Sequence, residues 1–97
     1  FGPNEQDVKP VDWILDKMIG NWPNSSWELD ESSSPHEADF LKLDIAKAES
    51  RLNWKPVWEL SHTLEKIIEW HKAWLNNENV QTICLAEIEE YTKDMNK

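Results

Sequence analysis

The chain contains three histidines and a single cysteine that could bind a metal or carry out nucleophilic chemistry. His36 and Glu37 begin like the His-Glu-x-x-His helix of a zinc protease, but Phe40 stands where the second histidine is required. His62 and His71 lie nine positions apart, which separates them by about 180° around one helix. The spacing therefore predicts no metal site shared between histidines.

Cys84 offers little reactivity in its sequence context. It is the only cysteine, so neither a disulfide framework nor a thiolate metal cluster is expected. No basic residue close in sequence would activate its thiol. The amino terminus has no export leader, and no apolar run reaches the ~18 residues needed to cross a bilayer. Together with the single cysteine, these features predict a cytoplasmic protein.

The composition is that of one small acidic domain. Ninety-seven residues, 39% of them hydrophobic, are enough for a single small core. The net charge of −9 repels a phosphate backbone, so nucleic acid is not a predicted partner. Seven tryptophans are many for this length, and such side chains usually fill cores or interfaces.

The apolar spacing predicts four helices, over residues 10–21, 45–52, 62–76 and 86–93. Asp44 is the predicted cap of the second helix, and Pro56 closes that segment. Ser61 is the predicted cap of the third, whose inward stripe is Leu64, Ile67, Ile68, His71, Trp74 and Leu75. A short apolar piece, 80–85, precedes the last helix.

Two short strands are predicted beside these helices. Residues 26–30 alternate apolar and polar side chains, as a half-buried strand does, and residues 40–43 form a second extended piece. The predicted fold class is therefore α+β, a small and mostly helical lobe with two short strands.

The segment from Leu43 to Pro56 reads Leu-Asp-x-x-Lys-Ala-x-x-x-Leu-x-Trp-x-Pro. This string resembles the carboxy-terminal lobe of the extended short-chain dehydrogenase/reductases that act on nucleotide sugars. Three further strings resemble the CDP-glucose 4,6-dehydratases within that superfamily. They are residues 35–38 (Pro-His-Glu-Ala), residues 40–44, and Ile88-Glu-Glu-Tyr91 near the end. The resemblance covers nearly the whole chain.

The resemblance implies that residues 1–97 are the substrate-binding lobe of a Rossmann-type, NAD-dependent enzyme. The parent enzyme would convert CDP-glucose to CDP-4-dehydro-6-deoxyglucose by oxidation, dehydration and reduction, and would be a homo-oligomer. Its amino-terminal dinucleotide-binding domain would bind NAD and be the partner of this lobe. We expect no cofactor on these 97 residues, because Gly2 and Gly20 begin no phosphate-binding turn.

The same resemblance excludes a complete catalytic centre here. The family's acid/base pair is a tyrosine followed four residues later by a lysine. Tyr91 is the only tyrosine, and Met95 stands at the fourth position after it. We therefore predict no catalytic residue within the chain and a contribution to substrate binding alone.

His36 and Glu37 are the candidate substrate contacts that the resemblance implies. Relatives place an acidic residue seven positions before the capping aspartate, where it accepts hydrogen bonds from the nucleotide ribose, and Glu37 occupies that position. Many relatives hold the pyrophosphate with an arginine three residues earlier, but Ser34 stands there, and His36 could replace it. The alternative for both residues is a solvated loop.

Other functions stay open on the sequence alone. The lobe could belong to another nucleotide-sugar epimerase or dehydratase. A protein of a different class, a free-standing acidic module that binds proteins through exposed tryptophans, is the remaining alternative. Trp54, Trp58, Trp70 and Trp74 could stack on a cytosine ring, although packing is the interpretation we favour.

Overall fold

The computed structural model describes residues 1–30 and 42–97. Within them a short 3-10 helix, Glu5–Asp7, precedes four α-helices, which are α1 (Val11–Gly20), α2 (Ala46–Leu52), α3 (Leu60–Leu75) and α4 (Val80–Met95). Helix α3 packs against both α1 and α4. Of the helices in these two ranges, none is long and apolar enough to cross a membrane.

The predicted α+β class is wrong, because the described residues contain helices and no strand. Residues 26–30 are irregular, and Leu29 among them is 77% exposed. The Trp27 indole N–H donates to Asp16 Oδ1 of α1 at 2.9 Å. A strand needs a neighbouring backbone to pair with, and α1 offers this segment a side chain instead. Of the second predicted strand, Lys42 and Leu43 are irregular, while residues 40 and 41 lie outside the described ranges.

The first two helices follow their local sequence signals. Helix α1 starts directly after Pro10 and ends before Asn21, as predicted. The Asp44 carboxylate accepts the backbone N–H of Ala46 at 2.9 Å, which confirms Asp44 as the capping side chain of α2. Asn53 adopts a left-handed conformation (φ 51°) that ends the helix.

Helix α3 starts two residues earlier than predicted, and its predicted cap is wrong. Ser61 lies inside the helix, whose first residue is Leu60. The Asp7 carboxylate accepts the backbone N–H of Leu60, which otherwise has no partner within the helix. The cap therefore comes from a segment 53 residues away in sequence.

The core of the described residues is small. Ile68 is 3% exposed, Leu64 6% and Ala73 7%, all on α3, and Ile45 beside α2 is 8% exposed. The predicted inward stripe of α3 is only partly buried, since Ile67, Trp74 and Leu75 are about half exposed.

Helix α4 is one continuous helix where two separate pieces were expected. The Asn79 side chain accepts the backbone N–H groups of Gln81 and Thr82 at 3.1 and 3.3 Å, so the cap lies before the apolar piece. Cys84 is thus an interior residue of the helix.

Removing the Asp7 cap should destabilise the protein. Asp7→Ala leaves the Leu60 N–H without its acceptor, and we expect the free energy of unfolding to fall by about 1 kcal/mol. Urea denaturation followed by circular dichroism measures this change. Glu28→Ala, which also removes one exposed negative charge, is the matched control and should cost less than about 0.5 kcal/mol. Equal losses in the two variants would contradict the capping role.

Neighbouring isoleucines of α3 should differ sharply in their contribution to stability. Ile68→Ala creates a cavity in the core and should cost about 2–5 kcal/mol. Ile67→Ala, at a side chain that is 51% exposed, should cost less than about 1 kcal/mol. Thermal unfolding compares the two, and Ile68→Val, with an expected cost of about 0.5–1.5 kcal/mol, replaces Ile68→Ala if that variant does not fold.

Candidate functional site

The predicted substrate contacts His36 and Glu37, with Ser34, lie outside the described residues. The first described residue after them is Lys42. Its ammonium group pairs with Glu5 Oε1 at 2.6 Å and ties this end of the segment to the amino-terminal 3-10 helix. The structure therefore describes the chain that leads away from the predicted contacts, and those contacts stay a prediction.

A cavity of about 390 Å³ opens beside Lys42, within the size range of small-molecule sites. Its lining residues come from the amino-terminal segment and from the start of α2, and they are Pro3, Glu5, Lys42, Leu43, Asp44, Ile45, Ala46 and Glu49. Gly2 allows the two segments to approach closely, because a Cβ atom there would lie 3.1 Å from Leu43 Cβ and 3.3 Å from Ile45 Cγ2. Gly2 thus lets the amino-terminal segment lie directly against Leu43 and Ile45, two residues of the cavity wall.

A second cavity, of about 370 Å³, shares Asp44 and Ile45 with the first. Lys47 and Arg51 line it together with Phe1, Ala48 and Leu52. Two cations beside an apolar surface can hold a phosphate group while a ring or sugar packs against carbon atoms. Helix α2 thus places two positive charges in the cavity that Asp44 and Ile45 also line.

A second group of polar side chains joins α3 to α4, and we call it the interhelical cluster. Its members are Trp58, His62, Lys66, Glu90, Tyr91 and Asp94. Lys66 Nζ lies 2.7 Å from Glu90 Oε2, and His62 Nε2 lies 3.4 Å from Glu90 Oε1. The Trp58 indole N–H donates to Asp94 Oδ2 at 2.9 Å.

Hydrogen bonds shift the pKa values in the interhelical cluster. The hydrogen bond from Lys66 lowers the pKa of Glu90, and the same bond raises the pKa of Lys66. The pKa of Asp94 is also lowered, first by the Trp58 indole N–H and then by Lys97. Both carboxylates therefore stay ionised to lower pH than ordinary side chains do.

The tryptophans that were candidates for cytosine stacking make protein contacts. Trp54 meets Phe1 edge to face at 4.9 Å between ring centroids, and Trp58 meets Tyr91 at 5.0 Å. The Trp70 indole N–H points to Cys84 Sγ at 3.2 Å. These contacts match the favoured packing interpretation, although Trp74 stays 52% exposed.

No model of a known protein family matches the chain. The chain is, however, 46% identical over 92 residues to CDP-glucose 4,6-dehydratase from Salmonella typhimurium (strain LT2), and the alignment covers 94% of this chain. The predicted resemblance is confirmed. The chain spans 26% of the length of that relative.

The two glycines of the described residues, Gly2 and Gly20, do not have the positions that a dinucleotide-binding turn needs. Gly2 lies in an irregular segment packed against Leu43 and Ile45, and Gly20 ends α1. A pyrophosphate site of this kind needs glycines that open a helix. Neither glycine opens a helix in the described ranges, and the expected absence of a cofactor from this chain stays a prediction.

Sequence reasoning missed the interhelical cluster. It tested His62 only against His71, whereas the partners of His62 are Glu90 and Asp94 on the following helix. The spacing of Glu90 and Asp94, four residues apart, was the available signal, because it places two carboxylates on one helix face. The sequence could not show that this face meets α3.

Lys66→Met should raise the pKa of Glu90 toward its ordinary value, because it removes the hydrogen bond that lowers this pKa. The Glu90 pKa is lower in the folded than in the unfolded state, so its contribution to stability is present above the unfolded pKa and is lost as pH falls through the folded pKa. Nuclear magnetic resonance titration of the Glu90 carboxyl carbon measures the change.

Lys93→Met is the matched control, since Lys93 pairs with Glu89 at 2.9 Å and also carries one positive charge on α4. It should leave the pKa of Glu90 nearly unchanged. An equal pKa shift in both variants would attribute the effect to net charge alone and contradict the specific hydrogen bond.

Proposed function

We propose that this chain is the carboxy-terminal, nucleotide-sugar-binding lobe of a CDP-glucose 4,6-dehydratase. The observation that carries the proposal is the 46% identity over 92 residues to a protein of that name. The cytoplasmic location and homo-oligomeric state predicted from sequence and resemblance belong to the same proposal.

In this proposal the catalytic chemistry belongs to another part of the enzyme. NAD would be held by an amino-terminal Rossmann domain, where it would accept and return the hydride needed to make CDP-4-dehydro-6-deoxyglucose. The residues of this chain would bind the nucleotide, orient the sugar and keep water from it. Positioning and exclusion of water are contributions that a binding lobe can make without any proton-transfer group of its own.

Glu37 and His36 are the proposed contacts to the nucleotide. A glutamate carboxylate can accept from both ribose hydroxyls, each bond being strengthened by the negative charge. The pyrophosphate would require cations, and Ser34 provides none. Lys47 and Arg51 support the proposal here, because they line the 370 Å³ cavity beside the corner of Asp44 and Ile45.

A protein-interaction module is the alternative that the exposed apolar side chains favour. Large hydrophobic residues that are at least half exposed lie on all four described α-helices, and they are Val11, Leu52, Ile67, Trp74, Leu75, Leu85, Ile88 and Met95. Within the main proposal, such surface would pack against the dinucleotide-binding domain. Nucleotide binding separates the two, because the module predicts none.

The test uses the protein encoded by the complete reading frame that contains this chain, supplied with CDP-glucose and NAD. We expect a product lighter than CDP-glucose by one water, detected by mass spectrometry. UDP-glucose and GDP-mannose, supplied in parallel, should be poor substrates. Conversion of either one in preference to CDP-glucose would assign the lobe to another nucleotide-sugar enzyme, and no reaction with any of them would contradict the proposal.

Glu37→Gln should weaken substrate binding in the same protein. The loss of charge-assisted hydrogen bonds to the ribose should raise KM for CDP-glucose about tenfold or more, with a smaller effect on kcat. Glu28→Gln removes an exposed charge nearby in sequence and should leave KM unchanged. An unchanged KM in Glu37→Gln would show that Glu37 is a solvated residue.

A further inference from the structure

His62, Glu90 and Asp94 come together although they lie on two helices. His62 is in the first turn of α3, while Glu90 and Asp94 are one turn apart near the end of α4. All three are partly buried, and one ligand atom of each lies within 4.8 Å of the others. An imidazole and two carboxylates thus converge on one point between the helices.

The spacing of these atoms suits a tetrahedral metal ion. Ligand atoms at about 2.0–2.1 Å from Zn²⁺ lie about 3.3–3.4 Å from one another in a regular tetrahedron. His62 Nε2 and Glu90 Oε1 are 3.4 Å apart. The pair therefore has the separation of two zinc ligands, and an oxygen of Asp94 lies within 4.8 Å of both.

Other donors hold oxygens of both carboxylates. Lys66 donates to Glu90 Oε2, the oxygen that faces away from His62. The Trp58 indole N–H donates to Asp94 Oδ2. Such outer contacts fix the orientation of metal-binding carboxylates in known sites. Only Lys97, which is 80% exposed and pairs with Asp94 Oδ1 at 3.0 Å, would have to move aside.

We propose that His62, Glu90 and Asp94 bind one Zn²⁺ ion that links α3 to α4. Imidazole nitrogen favours zinc over Mg²⁺ and Ca²⁺, which prefer oxygen ligands alone. Two carboxylates and a neutral imidazole balance the charge of the ion, and a water molecule completes the tetrahedron. The site is independent of the proposed function, since it lies on α3 and α4 and uses neither His36 nor Glu37.

Isothermal titration of the 97-residue chain with zinc chloride tests the proposal. The titration uses a Cys84→Ser background so that the thiol does not contribute. We expect one bound ion per chain, and His62→Gln and Asp94→Asn should each weaken zinc binding at least tenfold. His71→Gln, on the same helix, is the matched control and should not change it. Magnesium chloride should give no binding at the same concentrations.

Thermal unfolding with and without zinc provides the second measurement. Zinc should raise the Tm of the parent chain and of His71→Gln, because it binds the folded state. The rise should disappear in His62→Gln and in Asp94→Asn, which retains an oxygen that can accept the Trp58 N–H. Circular dichroism confirms that each variant is helical. Absence of zinc binding, or binding that is unchanged in His62→Gln, would overturn the proposal.

Discussion

Burial of one face of α3 is the constraint on which the described structure depends. Three of the four buried apolar side chains in the described ranges, Leu64, Ile68 and Ala73, belong to this helix. Its first N–H is capped by Asp7, and Lys72 near its end donates to the backbone carbonyl of Asn21 after α1. The amino-terminal segment and α1 are therefore both fixed to α3, and the cavities beside α2 depend on that arrangement.

The surface left outside this core is large. In the described ranges twelve large hydrophobic side chains are exposed, from Trp27 at 38% to Leu29 at 77%. Each half-exposed Leu, Ile or Trp forgoes part of the stabilisation that full burial would supply. A lobe that completes its burial against a larger protein has this character, in agreement with the proposed function and with an alignment that spans a quarter of the relative.

Local signals in the sequence predicted a helix boundary correctly where the residue that starts or ends the helix is close to it in the chain. Pro10 before α1, Asp44 before α2 and Asn53 after it all act within a few residues, and these boundaries were predicted correctly. The cap of α3 by Asp7 could not be predicted, because nothing local distinguishes Asp7 from other exposed acids. The strand predicted over 26–30 failed for a related reason, since alternation shows how a strand would face and not whether a partner strand exists.

The candidate sites also differ in whether contiguous sequence or the packing of distant segments determines them. The resemblance to CDP-glucose 4,6-dehydratase was readable from short contiguous strings, residues 35–38, 40–44 and 88–91, and the comparison confirms it. The roles of His36 and Glu37 came only through that resemblance and stay predictions. The interhelical cluster joins residues about 30 positions apart, and its geometry follows from the packing of α3 on α4, which periodicity alone does not determine.

The contacts between α3 and α4 differ in kind from those that hold the core. Helix α4 has no buried residue. Its described contacts include those of His62 and Lys66 with Glu90, the Trp70 contact to Cys84, and the contacts of Trp58, just before α3, with Tyr91 and Asp94. Ion pairs at partly exposed positions are screened by solvent, so those at Glu90 add little to the packing of α4 on α3. The attachment of α4 therefore depends on its other contacts and on what occupies the space between the Glu90 and Asp94 carboxylates and His62.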